Sequence, residues 1–233
     1  DLIICTCHQL YRYRHQFDFL ILDEPDAFPY RGNMVLKYFV EKSLSKDGHI
    51  VYLSATVDEV MEEKVKCGDV RHLKLPIRPS LKPLPVPIWR LSLHCTILFL
   101  RDLIKNRKNK AIIYVPSKRF ARNLGILLRS PFITSESQDK ENLIKTFRMK
   151  ENGLLVSTTI LERGVTFEGI NCYVLQADKR VYTHATLVQI AGRVGRGTRN
   201  TKGKCYLYSQ EKSLEIVKCI DNIEKHNHHA LSV

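Results

Sequence analysis

The octapeptide Gln189-Ile190-Ala191-Gly192-Arg193-Val194-Gly195-Arg196 places two arginines three positions apart, each directly after a glycine. The apolar run Thr186-Leu187-Val188 just before it predicts a helix over 184–192, and positions three apart share a helix face. Two planar, always-charged, five-donor groups aimed the same way suit a phosphate chain undergoing transfer. Neither Gly192 nor Gly195 has a side chain to block that approach. A solvated basic helix end explains the same residues, so the reading depends on what partners them elsewhere.

The run Phe17-Asp18-Phe19-Leu20-Ile21-Leu22 predicts a buried strand that ends abruptly in Asp23-Glu24-Pro25-Asp26. Ligands of open α/β sheets gather at the carboxyl ends of strands. In a nucleoside triphosphatase an acid placed there holds Mg2+ through water, and the next acid orients the attacking water. Asp23 fits the first role and Glu24 the second; an acidic turn capping a helix is the competing explanation. Ser54-Ala55-Thr56 closes a strand predicted over 49–53, and its hydroxyls are suited to bond Asp26 and relay nucleotide state. Helix capping by Thr56 or Asp58 explains that tripeptide equally well.

Hydroxyls recur where phosphates of a nucleic acid would lie. Ser157-Thr158-Thr159 follows a predicted strand, with Arg163 and Gly164 in the next turn placed to approach a nucleotide. Hydroxyls and exposed backbone N–H groups at such a turn suit phosphates, and an ordinary βα turn is the alternative. Thr6, Cys7, His8 and Gln9, and separately Tyr114, Pro116, Ser117 and Arg119, are further candidates for backbone contact. The overall charge agrees: 37 Lys and Arg against 24 Asp and Glu leave +13, which calls for a polyanionic partner. The basic residues are scattered through the chain, which favours nucleic acid over a membrane surface.

These residues need a scaffold, and the apolar pattern supplies one. Strands are predicted over 2–6, 17–22, 49–53 and 70–75, with helices over 32–45 and 58–66. Five prolines between Pro76 and Pro87 then make a stiff, extended connector. Beyond it come helices over 96–105, 119–129, 140–149, 184–192 and 214–226, and strands over 111–115, 132–134, 154–157, 172–176 and 205–208. The alternation predicts an α/β chain with mainly parallel sheets, divided into 1–75, a connector 76–88 and 89–233. Seven cysteines without a C-x-x-C pair fit neither a disulfide framework nor a zinc ribbon and imply a reducing compartment. His226, His228 and His229 are read as a helix end. No apolar run approaches the ~20 residues of a membrane span, so no integral membrane segment is expected.

In the order D-E-P-D, S-A-T, proline-rich connector, I-I-Y-V-P-S, S-T-T-I-L-E-R-G-V-T-F and Q-I-A-G-R-V-G-R, the chain resembles the motor motifs of superfamily 2 helicases over nearly its whole length. Asp23-Glu24-Pro25-Asp26-Ala27-Phe28-Pro29-Tyr30 and Leu161-Glu162-Arg163-Gly164-Val165-Thr166-Phe167 look most like ComFA, the late-competence ATPases of Gram-positive bacteria. The resemblance implies two RecA-like domains, the first truncated at its N-terminus, with ATP and Mg2+ as cofactors. It implies single-stranded DNA as partner, with competence DNA-uptake proteins at the inner face of the membrane, and a cytoplasmic or peripheral location. By position it makes Asp23 and Glu24 the metal and water residues, and Asp26, Ser54 and Thr56 the coupling residues. Thr158 and Thr159 match nucleic-acid contacts, with Thr6, His8, Gln9 and Ser117 as further ones. Arg163, Gly164 and Gly192 face the nucleotide, Gln189 bridges to it, and Arg193 with Arg196 supplies transition-state charge. A replication-restart helicase, whose acidic motif usually ends in His where this chain has Asp26, and a non-catalytic DNA-binding module remain alternatives.

The sequence contains no G-x-x-x-x-G-K-[ST]; Gly203-Lys204 is followed by Cys205. Such a loop cradles the β and γ phosphates. With Asp1 as first residue and 22 residues before Asp23, the chain is expected to be part of a longer protein that supplies the loop. These residues alone are expected not to hydrolyse ATP, and the first half to expose apolar surface and unpaired strand edge.

Overall fold

The computed structural model describes residues 2–26, 29–57, 59–73, 75, 83–161, 167–195 and 203–231. It divides into two compact units, Asp1–Leu73 and Lys74–Val233.

In the first unit, β1 (Phe17–Asp23) runs parallel to β2 (Leu44–Leu53), with Asp23 opposite Leu53. Helix α1 (Met34–Ser43) is capped by Asn33, whose Oδ1 accepts from Val35 N and Leu36 N. One sheet face is buried: Leu20 and Leu22 pack with Val40 of α1 and with Leu10 of a 3-10 helix, Cys7–Arg12. The opposite face leaves Phe19 and Ile21 each 58% exposed, with Val51 and Leu53 exposed beside them. Parallel strands are ordinarily covered on both faces, so this unit holds a one-sided core. Helix α2 (Glu59–Lys66) completes it.

The second unit is a six-stranded parallel sheet. In chain order its strands are β3 (Ile88–Leu91), β4 (Lys110–Tyr114), β5 (Phe132–Ile133), β6 (Gly153–Ser157), β7 (Ile170–Val174) and β8 (Cys205–Ser209). In space they lie β3-β8-β7-β4-β6-β5. Side chains alternate between two cores, as the period of a strand requires. Ile112, Tyr114, Leu155, Cys172, Val174, Cys205 and Leu207 face one, with Phe147 of α5 (Lys140–Met149), Leu187 and Ile190 of α6 (His184–Ala191), and Ile216 and Ile223 of α7 (Leu214–Leu231). Ala111, Ile113, Val156, Tyr173, Tyr206 and Tyr208 face the other, with Phe99 of α3 (Cys95–Lys105) and Ala121 and Leu124 of α4 (Lys118–Leu127). With helices on both faces, β4, β7 and β8 become almost wholly buried apolar runs.

A buried polar cluster ties β3 into this sandwich. Asp102 of α3 accepts on Oδ2 from Tyr208 Oη at 3.0 Å and from Arg90 Nε at 3.2 Å. Next to Arg90, Trp89 Nε1 donates to Ser209 Oγ at 2.7 Å.

Several predicted elements change. The apolar run 2–6 forms no strand: Leu2 and Ile4 lie exposed, and without a ladder partner an apolar run gains nothing from extension. The same holds for the described part of 70–75, where Leu73 and Leu75 are exposed. The second sheet has a sixth strand, β3, which follows Pro87 directly; proline is tolerated at a strand's start, so the connector's composition hid it. The helix predicted over 184–192 ends at Ala191, and α7 extends five residues past the predicted 226.

Candidate nucleotide and nucleic-acid sites

Because β1 and β2 are parallel and in register at Asp23 and Leu53, the acidic run and Ser54-Ala55-Thr56 leave the same end of the sheet. Glu24 N donates to Leu53 O at 2.8 Å, and Glu24 takes a left-handed backbone, φ 52°. Non-glycine residues adopt that conformation at a cost. Asp23 is exposed and Glu24 half-buried, whereas Asp26 and Thr56 are buried. Thr56 Oγ1 donates to Asp26 Oδ2 at 2.8 Å. Ser54 Oγ donates to Thr56 O at 2.5 Å and accepts from Thr56 N at 3.2 Å, which holds the turn that presents the threonine. The structure thus joins Asp26, Ser54 and Thr56 in one bonded chain beside the two outer acids. Asp23 and Glu24 offer hard oxygen donors at a strand end, which fit a Mg2+ ion that keeps most of its waters.

Thr6, His8 and Gln9 are exposed at the start of the 3-10 helix, where Gln9 N donates to Thr6 O at 2.9 Å.

In the second unit three neighbouring strands end together. Tyr114 of β4 pairs with Ser157 of β6, and Ile133 of β5 pairs with Ser157 on its other side. Ser117, Thr158, Thr159 and Thr134 therefore gather at one end of the sheet. Ser117 caps α4, its Oγ accepting from Phe120 N at 3.2 Å, and its O–H keeps a proton to donate. Thr158 N donates to Ile133 O at 3.3 Å, and Thr158 and Thr159 are half-buried. Tyr114 Oη donates to Leu161 O at 3.3 Å, anchoring the turn that carries them.

Beside these hydroxyls opens a cleft of about 410 Å3, lined by Lys118, Arg119, Arg122, Asn123, Phe132, Thr134 and Glu136. Of these, sequence reasoning had singled out Arg119 alone. Three cations on the first turns of one helix read as a solvated face until β5 is seen to bring a ring and a hydroxyl opposite them.

The described part of the arginine octapeptide, Gln189 to Gly195, leaves the helix through a tightened turn. Gly192 caps α6, and Arg193 N and Val194 N donate to Ile190 O and Ala191 O, tightening the last turn. Gly195 then turns left-handed, φ 72°, the usual way for a chain to leave a helix. Arg193 is 3% exposed; burial pushes the nearby Cys172 thiol up, and the Arg193 charge offsets part of that rise. Gln189 is also buried. Arg196, like Arg163 and Gly164, lies outside the described residues.

Gly203 packs against this turn. A Cβ there would meet Ile170 O at 2.2 Å and Val194 Cγ1 at 2.8 Å. Gly203→Ala is expected to cost about 3 kcal/mol and lower the melting temperature of the second unit by about 5 °C or more, read by scanning fluorimetry. An unchanged melting point would show that the turn yields freely.

Residues 95–198 match the helicase conserved C-terminal domain. The chain is 33% identical to competence protein ComFA of Streptococcus pneumoniae, over 98% of this chain and 57% of the relative. It is 32% identical to ComFA of Bacillus subtilis, over 100% of this chain and 54% of the relative. Over nearly its whole length the chain is similar to the ComFA-type superfamily 2 helicases. It spans about half the length of these curated ComFA relatives.

Solved structures place the fold among RecA-like helicase domains. S. cerevisiae Dbp5 L327V bound to RNA and ADP BeF3 superposes with a TM-score of 0.63 at 22% identity, over 90% of this chain and 57% of that one. Mss116p bound to ssRNA and AMP-PNP gives 0.62 at 19% identity, over 97% of this chain and 54% of that one. For this chain these likenesses describe the fold. Among its described residues no helix is long and apolar enough to cross a membrane.

Proposed function

We propose that this chain is the larger part of an ATP-driven translocase that moves single-stranded DNA during uptake by competent bacteria. The observation that carries the reading is the bonded chain Ser54–Thr56–Asp26 beside Asp23 and Glu24, at the carboxyl end of a parallel sheet. It links the residues suited to sense a nucleotide to the second strand of their sheet, and a motor needs such a link. ComFA relatives supply the process, and +13 of net charge supplies the attraction for DNA.

In this reading 1–75 is the C-terminal part of a first RecA-like domain, 76–88 a connector and 89–233 the second domain. Asp23 holds Mg2+ through water and Glu24 orients and deprotonates the attacking water. Mg2+ and ATP supply the transferable phosphoryl group and the charge that neutralises it. Asp26, Ser54 and Thr56 transmit the nucleotide's state. Arg163, Gly164, Gln189 and Gly192 line the nucleotide side of the second domain. Arg193 and Arg196 supply the charge that stabilises the transition state. Ser117, Thr158 and Thr159 grip DNA phosphates in the second unit, and Thr6, His8 and Gln9 do so in the first. The partners are uptake proteins at the inner face of the membrane, where the protein works from the cytoplasm.

The test is binding of fluorescent oligo-dT to the chain. Affinity is expected to fall steeply with salt, with a log–log slope of about −0.7 per phosphate contacted. Arg119→Ala is expected to weaken binding about fivefold, the worth of one charge-assisted contact at about 1 kcal/mol. Binding that ignores salt would overturn the reading. A preference for branched DNA over plain single strands would favour the replication-restart alternative.

A further inference from the structure

The cleft beside Ser117 and Thr158 is not uniformly basic. Glu136 stands on its rim, and Lys118 Nζ donates to Glu136 Oε1 at 2.6 Å. Both side chains are well exposed, 51% for Lys118 and 74% for Glu136. An ion pair in such a position contributes little to stability, so its effect lies in what it does to the cleft.

The turn that carries Glu136 is bonded within itself. Glu136 N donates to Thr134 Oγ1 at 3.3 Å, Thr134 N to Ser137 Oγ at 3.0 Å, and Lys140 Nζ to Ser135 O at 2.8 Å. Thr134 in turn follows Ile133, which pairs with Ser157. The backbone at Glu136 is therefore placed relative to the strand ends where the nucleic-acid hydroxyls gather. Opposite it, Lys118, Arg119 and Arg122 offer three cations, and Phe132 offers a ring.

We infer that Glu136 is an internal competitor for the nucleic-acid backbone: it occupies Lys118 in the empty cleft, and a phosphate must displace it to bind. This rests on the proposed binding of single strands. A chain that steps along a strand must release each phosphate it grips, and a tethered carboxylate shortens that grip. While Glu136 holds Lys118, the lysine adds no net counterion release; once Glu136 is neutral, the lysine is free to contact a phosphate.

The experiment uses the chain and oligo-dT, with affinity and dissociation rate measured across a salt series. Glu136→Gln is expected to tighten binding about fivefold, mainly by slower dissociation, and to steepen the salt slope by about 0.7, one single-strand phosphate. Glu224→Gln, the same charge change on the exposed side of α7, is the control and is expected to change affinity less than twofold. Lys118→Ala is expected to cost little in the native background and about fivefold in the Glu136→Gln background. If Glu136→Gln matches the control, or if Lys118→Ala costs the same in both backgrounds, the competitor role is overturned while DNA binding stands. If neither native chain nor variant binds oligo-dT, the proposed function itself falls and the competitor role with it.

Discussion

Glu24→Gln is expected to reduce DNA-stimulated ATP hydrolysis by at least about a hundredfold, the lower range for loss of a positioned general base, in a polypeptide that joins this chain to a phosphate-cradling loop. The substitution preserves size but replaces one accepting oxygen by a donating NH2 and removes the basicity that takes a proton from water. Because Glu24 N is bonded to Leu53 O and the backbone is left-handed there, the side chain's direction is set by the main chain and survives the change. Nucleotide affinity is therefore expected to stay within about threefold, since binding is carried by the metal and phosphate contacts. The 233-residue chain alone is expected to show no turnover above background, with or without the substitution. Phosphate release assayed with and without oligo-dT decides both points. DNA-stimulated turnover by the chain alone, lost in Glu24→Gln, would mean that it holds its own phosphate cradle.

Raising the pH from 8 to 10 is expected to remove about 4 kcal/mol of stability from the second unit. Cys172, Cys205 and Cys219 are buried in one core. Burial pushes the Cys172 and Cys219 thiols from 9.0 up to about 12, and Cys205 well above its ordinary value. In the unfolded chain these thiols ionise near 9, while in the fold they stay protonated. Stability is thus full below pH 9 and drains as pH climbs toward 12. Each thiol contributes about 1.4 kcal/mol per pH unit across that window. Tyr173, raised by burial from 10.0 to about 12, adds to the loss above pH 10. Urea titrations at pH 8 and pH 10 under reductant would measure it. The triple variant Cys172→Ala, Cys205→Ala, Cys219→Ala should lose most of the pH dependence while being less stable at pH 8. An equal loss in native chain and variant would place the titration elsewhere.

The centre of the second sheet was readable because its strands are covered on both sides. Ala111 to Tyr114 and Leu154 to Ser157 appear as short unbroken apolar runs, and few other structures explain such runs between helical segments. The acidic run was readable for a different reason: three carboxylates gathered at the end of an apolar strand have few structural uses, even though that strand turns out to be buried on one face only. What stayed hidden depends on partners distant in sequence. Leu2 to Thr6 has a strand's composition but no strand partner among the described residues, whereas Ile88 to Leu91 has a neighbour 118 residues away, Ile88 opposite Tyr206, behind a proline run. Asp102 sits in an amphipathic helix where acids usually face water, and Tyr208 and Arg90 reach it from β8 and β3. The cleft is of the same kind, since its aromatic and acidic walls come from β5 and the turn after it while its cations come from α4.

The attachment of β3 has a mechanical meaning. Four consecutive residue pairs bind it lengthwise to β8, so a tug along the strand from Pro87 loads all of those rungs at once in shear. Peeling, which would break them one by one, needs a pull across the sheet. Trp89 on Ser209 and Arg90 on Asp102 act as two rivets through the joint. The proline connector therefore enters the second unit through a fastening that resists being drawn out along its length.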